Sequence, residues 1–456
     1  MSSLTDLPTT RRSVLWASDR RGPTIGVLLL VTLVAFEAMG VGTAMPSLVA
    51  DLGAAELYAW PFVAHLSAGV VATVLSGRLC DLRGPRPSLL LGPLLFLAGL
   101  LVAGTADSMA VLLLGRVLQG LGSGTQVVAI YVLIGLVYPE RDRPAVFGAL
   151  SAAWVVPSLV GPALAGWFTE HLSWRLVFLA IAPLVVLGVL CLVPVLRALP
   201  AHTGGGAPAR RGLPLAALAG GAGVAAISWA AQHPSGPNLV LGVVGLVVLV
   251  PALRLLLPPG TLRARRGLPV TILARGLLAG TFFTVEAFVP LTLTAVHGYS
   301  PLAAGLPLTL SALGWAGGSM WQSRRPGIPR ETLVRRGFLL TAVGITGVTF
   351  IAPTWGPAWA TAPLWAFAGA GMGMAMSSLS VLTLAASTEA DRGFNSSALQ
   401  ISDMLGTALL VGLGGVLVTS LSSTRAPTTG VVVLDLLMAA VALVGAVLTG
   451  SRCRPR

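Results

Sequence analysis

The stretch GRLCDLRGPR, residues 77–86, separates two apolar runs that are each long enough to cross a membrane. It holds two glycines, one aspartate and three arginines. A glycine lets two helices approach closely, an aspartate at a helix end accepts hydrogen bonds, and arginines beside an apolar run contact lipid headgroups. The pattern therefore predicts a short loop at a membrane surface. An ordinary basic loop would carry the same charges, and the surrounding sequence decides what kind of loop this is.

The composition of the chain is that of a membrane protein. Of its 456 residues, 55% are hydrophobic and 10% are charged, and the mean hydropathy is +0.86. Soluble globular domains are less apolar than this. We therefore expect an all-α polytopic membrane protein, with the lipid bilayer as its surroundings.

The positive charge follows the predicted topology. The formal net charge is +13, and every basic residue is an arginine. All arginines fall in predicted cytoplasmic segments except Arg116 and Arg275 within spans and Arg175 and Arg425 outside. This is the positive-inside bias of membrane proteins, so nucleic-acid binding is not expected.

Apolar runs of about 20 residues, the length that crosses a bilayer, predict fourteen spans. Arginine clusters occur at both termini and in every second loop, which places both termini in the cytoplasm and the chain in the cell membrane. The predicted spans are 24–50, 60–79, 88–106, 110–137, 145–168, 176–196, 213–232, 238–257, 268–296, 301–321, 334–352, 357–386, 394–421 and 429–450. The predicted order is a cytoplasmic N-terminal segment (1–23), a six-helix half (24–196), a cytoplasmic linker (197–212), two central helices (213–257), a second six-helix half (268–450) and a cytoplasmic tail (451–456).

The two halves carry a faint repeat. Gly77 and Asp81 have counterparts 241 residues later in Gly318 and Gln322. Repeated halves are the usual construction of secondary transporters, whose substrate site lies between the halves near the bilayer midplane.

The loop at 77–86 resembles the signature loop of the major facilitator superfamily. Its glycine, aspartate, glycine and final basic residue match that signature, while Leu82 and Pro85 replace residues that are usually basic. The resemblance implies a major facilitator fold. It also implies a conformational motif made of Gly77, Asp81, Arg83, Gly84 and Arg86.

Two further stretches extend the resemblance to proton-coupled exporters. LLLGRVLQGLGSG, residues 112–124, places Arg116 before a glutamine–glycine pair, as in the family's second motif, which is associated with proton transfer. GALSAAWVVPSLVGPALAG, residues 148–166, resembles the fifth-span antiporter motif, although its small residues would also serve helix packing alone. The antiporter-motif residues are Gly148, Pro157, Gly161, Pro162 and Gly166.

Glu37 is the acidic residue that most needs an explanation, because it interrupts the first apolar run in LVAFEAMGVGTAMP, residues 33–46. In the fourteen-span drug:proton antiporters an acid also lies nine positions before a proline, as Glu37 lies before Pro46. Glu37 is about 13 residues, or roughly 20 Å, from one surface, and Arg116 is about 6 residues, or roughly 9 Å, from the other. In a core of about 30 Å these depths agree to within a turn, so an ion pair is open to them. A protonated structural Glu37, or an Arg116 that reaches the outer surface, remains an alternative.

Several other polar residues lie within the predicted spans, and each is given an expected role. Asp403 and Glu286 join Glu37 and Arg116 as candidates for proton coupling, whereas Asp435 is expected to be structural and Arg275 a headgroup anchor. The residues expected to line a cavity are Trp154, Gln126, Trp315 and His65.

The predicted function is a proton-coupled antiporter that exports small lipophilic or cationic compounds. A facilitator-type importer of a metabolite or osmolyte, or a membrane sensor without flux, remains an alternative. An enzyme is not expected, because no loop is long enough for a catalytic domain and no phosphate-binding motif occurs. Small-molecule substrate and protons are the expected ligands, with no cofactor and no metal, and a monomer is expected.

Overall fold

The structure is a computed structural model that describes residues 21–138, 143–198, 212–325, 327–388 and 391–453. Every structural statement below concerns these residues. The N-terminal segment before Arg21 and nearly all of the predicted linker at 197–212 lie outside them.

The described chain is a bundle of fourteen long helices. Three 3-10 turns and a four-residue helical turn at Leu176–Leu179 lie between some of them. The helices are α1 Arg21–Asp51, α2 Trp60–Arg83, α3 Arg86–Gly104, α4 Met109–Val137, α5 Arg143–His171, α6 Ala182–Ala198, α7 Leu213–Gln232, α8 Gly236–Leu256, α9 Leu268–Ala295, α10 Pro301–Ser323, α11 Arg330–Thr349, α12 Thr361–Ala385, α13 Arg392–Leu421 and α14 Thr428–Arg452.

The predicted fourteen-helix architecture is confirmed. By length and composition, twelve helical segments of the described chain are apolar enough to cross a membrane. The other two, α10 and α11, have 23 and 20 residues but are less apolar, and Arg335 and Arg336 lie near the start of α11. Most helix ends lie within about four residues of the predicted span ends, because the same polar residues that end an apolar run also end its helix. The exception is the span predicted from residue 176, where Leu176–Leu179 is a separate turn and α6 begins at Ala182. The grouping of these helices into predicted domains stays a prediction.

The helices alternate in direction, so the bundle has two ends. The end where α1 finishes is called the Asp51 end, and the end where α2 finishes is called the Arg83 end.

Small residues allow close packing within the bundle. A methyl group added at Gly99 of α3 would lie 2.6 Å from the backbone nitrogen of Gln119 in α4. Close contacts of this kind fix which side chains of α4 can face α1 and α2.

Helices α1–α6 and α9–α14 meet at the Asp51 end. A methyl group at Gly166 of α5 would lie 2.6 Å from the Cα atom of Leu302 in α10. The backbone amide of Leu302 also donates to the carboxylate of Glu170 at 3.3 Å. The hydroxyl of Tyr58 donates to the carbonyl oxygen of Ala287 in α9 at 2.7 Å. These contacts close the seam between the two groups of helices at this end.

Helix α7 lies against both groups of helices. A methyl group at Gly221 of α7 would lie 2.9 Å from the carbonyl oxygen of Ser67 in α2. On α13, a methyl group at Gly415 would lie 2.8 Å from the side-chain nitrogen of Gln232. Helix α8 packs on α7 and leaves most of its surface outward. The two central helices are therefore an outer layer, and they do not separate the two groups.

Candidate functional site

An ion pair buried between α1 and α4 is the main polar feature of the first six helices. The guanidinium of Arg116 donates to the carboxylate oxygen Oε1 of Glu37. The side chain of Glu37 is 0% exposed and that of Arg116 is 3% exposed. The ion pair between Glu37 and Arg116, which their similar depths in the membrane make possible, is thus present. The role of the pair in proton coupling stays a prediction.

Two neighbours hold the guanidinium in place. The Nε atom of Arg116 donates to the carbonyl oxygen of Pro61 in α2 at 3.0 Å, and Nη1 donates to Oε1 of Gln119 at 2.6 Å. Pro61 lies in the first turn of α2, and its carbonyl oxygen has two lone pairs, so it can accept from Arg116 in addition to its bond within the helix. Gln119 follows Arg116 by three residues, so both side chains lie on one face of α4.

The ion pair leaves buried hydrogen-bonding capacity unused. Oε2 of Glu37 and Nε2 of Gln119 are buried without a hydrogen-bond partner among the described residues. A buried carboxylate oxygen without a partner is unfavourable, because it has lost its hydration. The site can therefore accept another proton donor beside Glu37.

His65 lies on α2 where that helix packs against α4 and is partly exposed, whereas Gln126 lies further along α4 and is buried. The carbonyl oxygen of His65 faces Gly120 of α4, and the Nδ1 atom of His65 is buried without a partner. Gln126 is fully buried where α4 packs against Gly92 of α3. Gln126 therefore lines no accessible surface in this conformation.

A second ion pair joins α9 and α13. Nε of Arg275 donates to Oδ2 of Asp403 at 2.9 Å, and the two side chains are 16% and 19% exposed. Nη1 of Arg275 also donates to Ser380 Oγ at 3.2 Å. The expectation that Arg275 is a headgroup anchor is wrong in this structure, because the guanidinium turns inward to a carboxylate on a helix distant in sequence.

Glu286 of α9 lies beside an aromatic cluster, defined as Phe282, Phe283, Trp315 and Trp365. Its Oε2 atom accepts hydrogen bonds from Trp365 Nε1 at 3.1 Å and from Ser311 Oγ at 3.2 Å. Glu286 itself is partly exposed.

The rings of this cluster contact one another around Phe282. Phe282 stacks on Trp365 with ring centroids 4.8 Å apart, and Trp315 lies edge-on to Phe282 at 6.2 Å. A carboxylate beside aromatic faces is an arrangement that attracts an organic cation. Trp154, the remaining residue expected to line a cavity, is 40% exposed on α5.

The loop at 77–86 is formed as the end of α2, one connecting turn and the start of α3. Gly84 has φ +72° and ψ 176°, and its N–H donates to the carbonyl oxygen of Cys80. This backbone region is open essentially to glycine alone. Asp81, Arg83 and Arg86 are exposed around the turn.

The predicted close approach at Gly77 is wrong. A methyl group at Gly77 would meet open space, whereas its counterpart Gly318 contacts Ala370 of α12. Gln322, the counterpart of Asp81, accepts hydrogen bonds from Arg330 and from Ser378. The two halves thus share the sequence pattern, but only the second uses its glycine for close packing.

The fifth-span motif packs α5 on two other helices. Gly161 lies against Met39 of α1, at 3.5 Å from a methyl group placed on the glycine. Pro162 and Gly166 face α10, since the carbonyl oxygen of Pro162 lies 2.9 Å from a methyl group placed on Gly305. Pro157 lies within α5, and Gly148 lies outside the residues whose side-chain surroundings the structure describes.

One polar cluster at the Asp51 end is not foreseeable from the pattern of the sequence. Oδ2 of Asp51 accepts from Trp174 Nε1 at 2.9 Å and from Arg175 Nη1 at 3.0 Å. Arg175 Nη2 also donates to the carbonyl oxygen of Ala106 at 3.0 Å. Asp51 ends α1, whereas Ala106 and Arg175 lie in two separate connections between helices. Hydropathy carries no information about such contacts.

Asp435 of α14 is 1% exposed, and neither of its carboxylate oxygens has a hydrogen-bond partner among the described residues. It contributes to neither ion pair. Its structural assignment stays a prediction.

Fourteen long helices around two inward-facing ion pairs define a polytopic membrane protein with charged groups in its interior. Residues 27–383 match the Major Facilitator Superfamily. The chain belongs to this superfamily.

Curated relatives include proteins described as multidrug transporters. Over 305 residues the chain is 27% identical to Multidrug resistance protein 3 of Bacillus subtilis, covering 65% of this chain and 59% of that protein. It is 30% identical over 289 residues to a probable multidrug-efflux transporter of Mycobacterium tuberculosis, covering 60% of each. It is also 30% identical over 165 residues to the multidrug transporter protein MdtP of Bacillus subtilis, covering 36% of this chain and 30% of that protein. The chain thus spans at most about three-fifths of these relatives.

Solved structures show the same fold at low sequence identity. An auto-inhibited POT family peptide transporter superposes with a TM-score of 0.72 at 17% identity, covering 96% of this chain and 97% of that one. The human organic anion transporter MFSD10 superposes with a TM-score of 0.61 at 17% identity, covering 95% and 100%.

Proposed function

We propose that the protein is a proton-coupled antiporter that exports small lipophilic or cationic compounds by alternating access. The observation that carries the proposal is the buried pair of Glu37 and Arg116, whose second carboxylate oxygen has no partner. The similarity to multidrug transporters over about three-fifths of the chain supports export as the direction.

The pair supplies a physical means of coupling. A carboxylate in a water-poor interior needs either a positive partner or a proton. While Arg116 is in contact, Glu37 can stay ionised. If the change between the two access states separates α1 from α4 at this level, a proton replaces the guanidinium as the neutralising charge. The proton is released when the pair forms again, so one cycle moves one proton at Glu37.

Glu286 is the proposed site for a cationic substrate. Glu286 is partly exposed, and Phe283 and Trp315 are the partly exposed rings of the aromatic cluster. An organic cation would gain both charge attraction and cation–π attraction there. Asp403 is the next candidate for proton coupling, because Arg275 contacts it as Arg116 contacts Glu37.

The proposed location is the cell membrane, with both termini and the Arg83 end in the cytoplasm. The arginine distribution supports this orientation. Labelling of single cysteines in an otherwise cysteine-free protein tests it. A cysteine at Leu172, at the Asp51 end, should react with an impermeant maleimide added to intact cells, whereas one at Thr203 should not. Labelling at Thr203 would contradict the orientation.

The coupling test is transport of ethidium, a lipophilic cation, in proteoliposomes with an imposed pH gradient. Glu37→Gln should abolish gradient-driven ethidium movement while downhill exchange of ethidium continues, because glutamine mimics the protonated acid. Asp51→Asn is the matched control. It removes a carboxylate from the same helix, but one that is half-exposed at the membrane surface, and gradient-driven movement should persist.

Gradient-driven movement at the wild-type rate by Glu37→Gln would exclude Glu37 and leave Asp403 and then Glu286 as candidates. An absence of gradient-driven ethidium movement by the unmodified protein would contradict the proposal of proton-coupled export of lipophilic cations.

A further inference from the structure

A groove of about 430 Å³ lies on the outer surface of the second group of helices. Trp321 of α10, Leu340 and Val343 of α11, and Phe367 and Met374 of α12 form much of its wall. Arg336 of α11 is the charged residue of this lining. An apolar groove with one arginine is unlike the uniformly apolar surface that a bilayer requires.

The groove follows from how α12 packs between α10 and α11. Gly314 of α10 contacts Ala366 of α12, and a methyl group at Gly344 of α11 would lie 2.6 Å from the side chain of Ala368 in α12. Because α12 is held closely by a neighbour on each side, α10 and α11 stand apart across its outer face. That separation leaves Phe367 and Met374 as the floor of the groove.

Arg336 faces this groove, whereas the arginine before it does not. Arg336, Leu340 and Val343 recur at spacings of four and three residues, so they share one face of α11. The side chain of Arg335 instead packs against α14, with its Cδ atom 3.2 Å from a methyl group placed on Gly450. Arg336 is exposed and has no hydrogen-bond or ion-pair partner within the described part of the chain.

A second positive charge lies at the same end of the groove. The guanidinium of Arg325 lies over the ring of Trp321, 4.5 Å from the ring centroid. Tryptophan and arginine at a helix end are the residues found at headgroup level in membranes. The groove is therefore positive at its mouth near the Arg83 end and apolar along the rest of its length.

We propose that this groove binds an anionic phospholipid. Its phosphate would contact Arg336 and Arg325, and one acyl chain would lie along Leu340, Val343 and Phe367. From Arg336 to Val343 the groove extends about 10 Å along α11 at 1.5 Å per residue. That length accommodates the upper half of an acyl chain. Charge complementarity selects an anionic lipid over a zwitterionic one, and this proposal is independent of the transport proposal.

The test is binding of phosphatidylglycerol with a brominated acyl chain to the purified full-length protein in detergent micelles, followed by quenching of tryptophan fluorescence. In Trp321→Phe, the fluorescence that the brominated chain quenches should be smaller than in the unmodified protein by the contribution of one tryptophan. Arg336→Gln should weaken phosphatidylglycerol binding about fivefold, the factor expected for one arginine near an anionic surface. Arg335→Gln is the matched control, because it removes the same charge one residue away, and should leave binding unchanged.

Brominated phosphatidylcholine should bind the unmodified protein more weakly than phosphatidylglycerol, and Arg336→Gln should remove that difference. Equal binding of the two lipids to the unmodified protein would overturn the proposal. So would equal losses of phosphatidylglycerol binding in Arg335→Gln and Arg336→Gln. Thermal unfolding of each variant identifies a loss that comes from misfolding, and Arg336→Lys, which keeps the charge, should then restore most of the binding.

Discussion

Arg116 and Glu37 form an ion pair between α1 and α4 with almost no exposed surface, 79 residues apart in the chain. The pair at Asp51 and Arg175 differs in kind, since its side chains are 50% and 35% exposed. Burial determines what each pair does. A buried charge depends on its partner, whereas an exposed charge is already stabilised by water.

Removing one member of the buried pair should therefore lower the free energy of unfolding more than removing both members. Arg116→Ala should lower the free energy of unfolding by about 3–5 kcal/mol, because it leaves a buried charge without compensation. Adding Glu37→Gln to Arg116→Ala should restore a large part of that loss. Thermal unfolding of the purified variants in detergent measures both effects. Arg175→Ala is the control and should cost at most about 1 kcal/mol. Equal losses in Arg116→Ala and the double variant would contradict the prediction.

The two glycines of the signature loop should respond to alanine with opposite signs. Gly84→Ala should destabilise the protein by about 1–3 kcal/mol, because φ +72° with ψ 176° is strained for any residue with a Cβ atom. Gly77→Ala should stabilise it by up to about 1 kcal/mol, since Gly77 is helical and an added methyl group meets open space. Unfolding midpoints of the two variants give the signs. A loss of stability in Gly77→Ala would show that this glycine is needed for packing after all.

Gly166→Ala should disfavour the arrangement that is closed at the Asp51 end. The added methyl group would lie 2.6 Å from the backbone of Leu302, so α5 and α10 must move apart. Spin labels at Leu172 and Ala295, at the ends of α5 and α9, should show a shift toward longer distances in pulsed electron paramagnetic resonance. Gly317→Ala is the matched control, because a methyl group at Gly317 of α10 meets no neighbour within 4 Å. The same distance distribution in the unmodified protein, Gly166→Ala and Gly317→Ala would contradict this role of Gly166.

The predicted site was recovered to different degrees in the two halves of the chain. Glu37 and Arg116 could be matched from sequence because each is a single charge in a long apolar run, and depth follows from counting residues. Counting could not pair Arg275 with Asp403. The depth of Arg275 gives no information about which way its side chain turns, so the sequence predicts a headgroup anchor where the structure has an ion pair.

Glu286 illustrates a second limit. Its hydrogen bond from Trp365 joins residues 79 positions apart, and its aromatic cluster draws on α9, α10 and α12. These helices meet because glycines of α10 lie against the backbone of α12. A glycine in a sequence does not reveal which neighbour it contacts, as the contrast between Gly77 and Gly318 demonstrates.

The sequence alone determined the number of spans, their bounds and the positions of charged residues along them. This follows because a bilayer requires about 20 apolar residues for each crossing and excludes unpaired charges. The tertiary structure decided which charges meet, which helix faces pack closely and where grooves remain. Those outcomes depend on the rotation and lateral order of helices that are distant in sequence, and both are set by contacts between side chains and not by hydropathy.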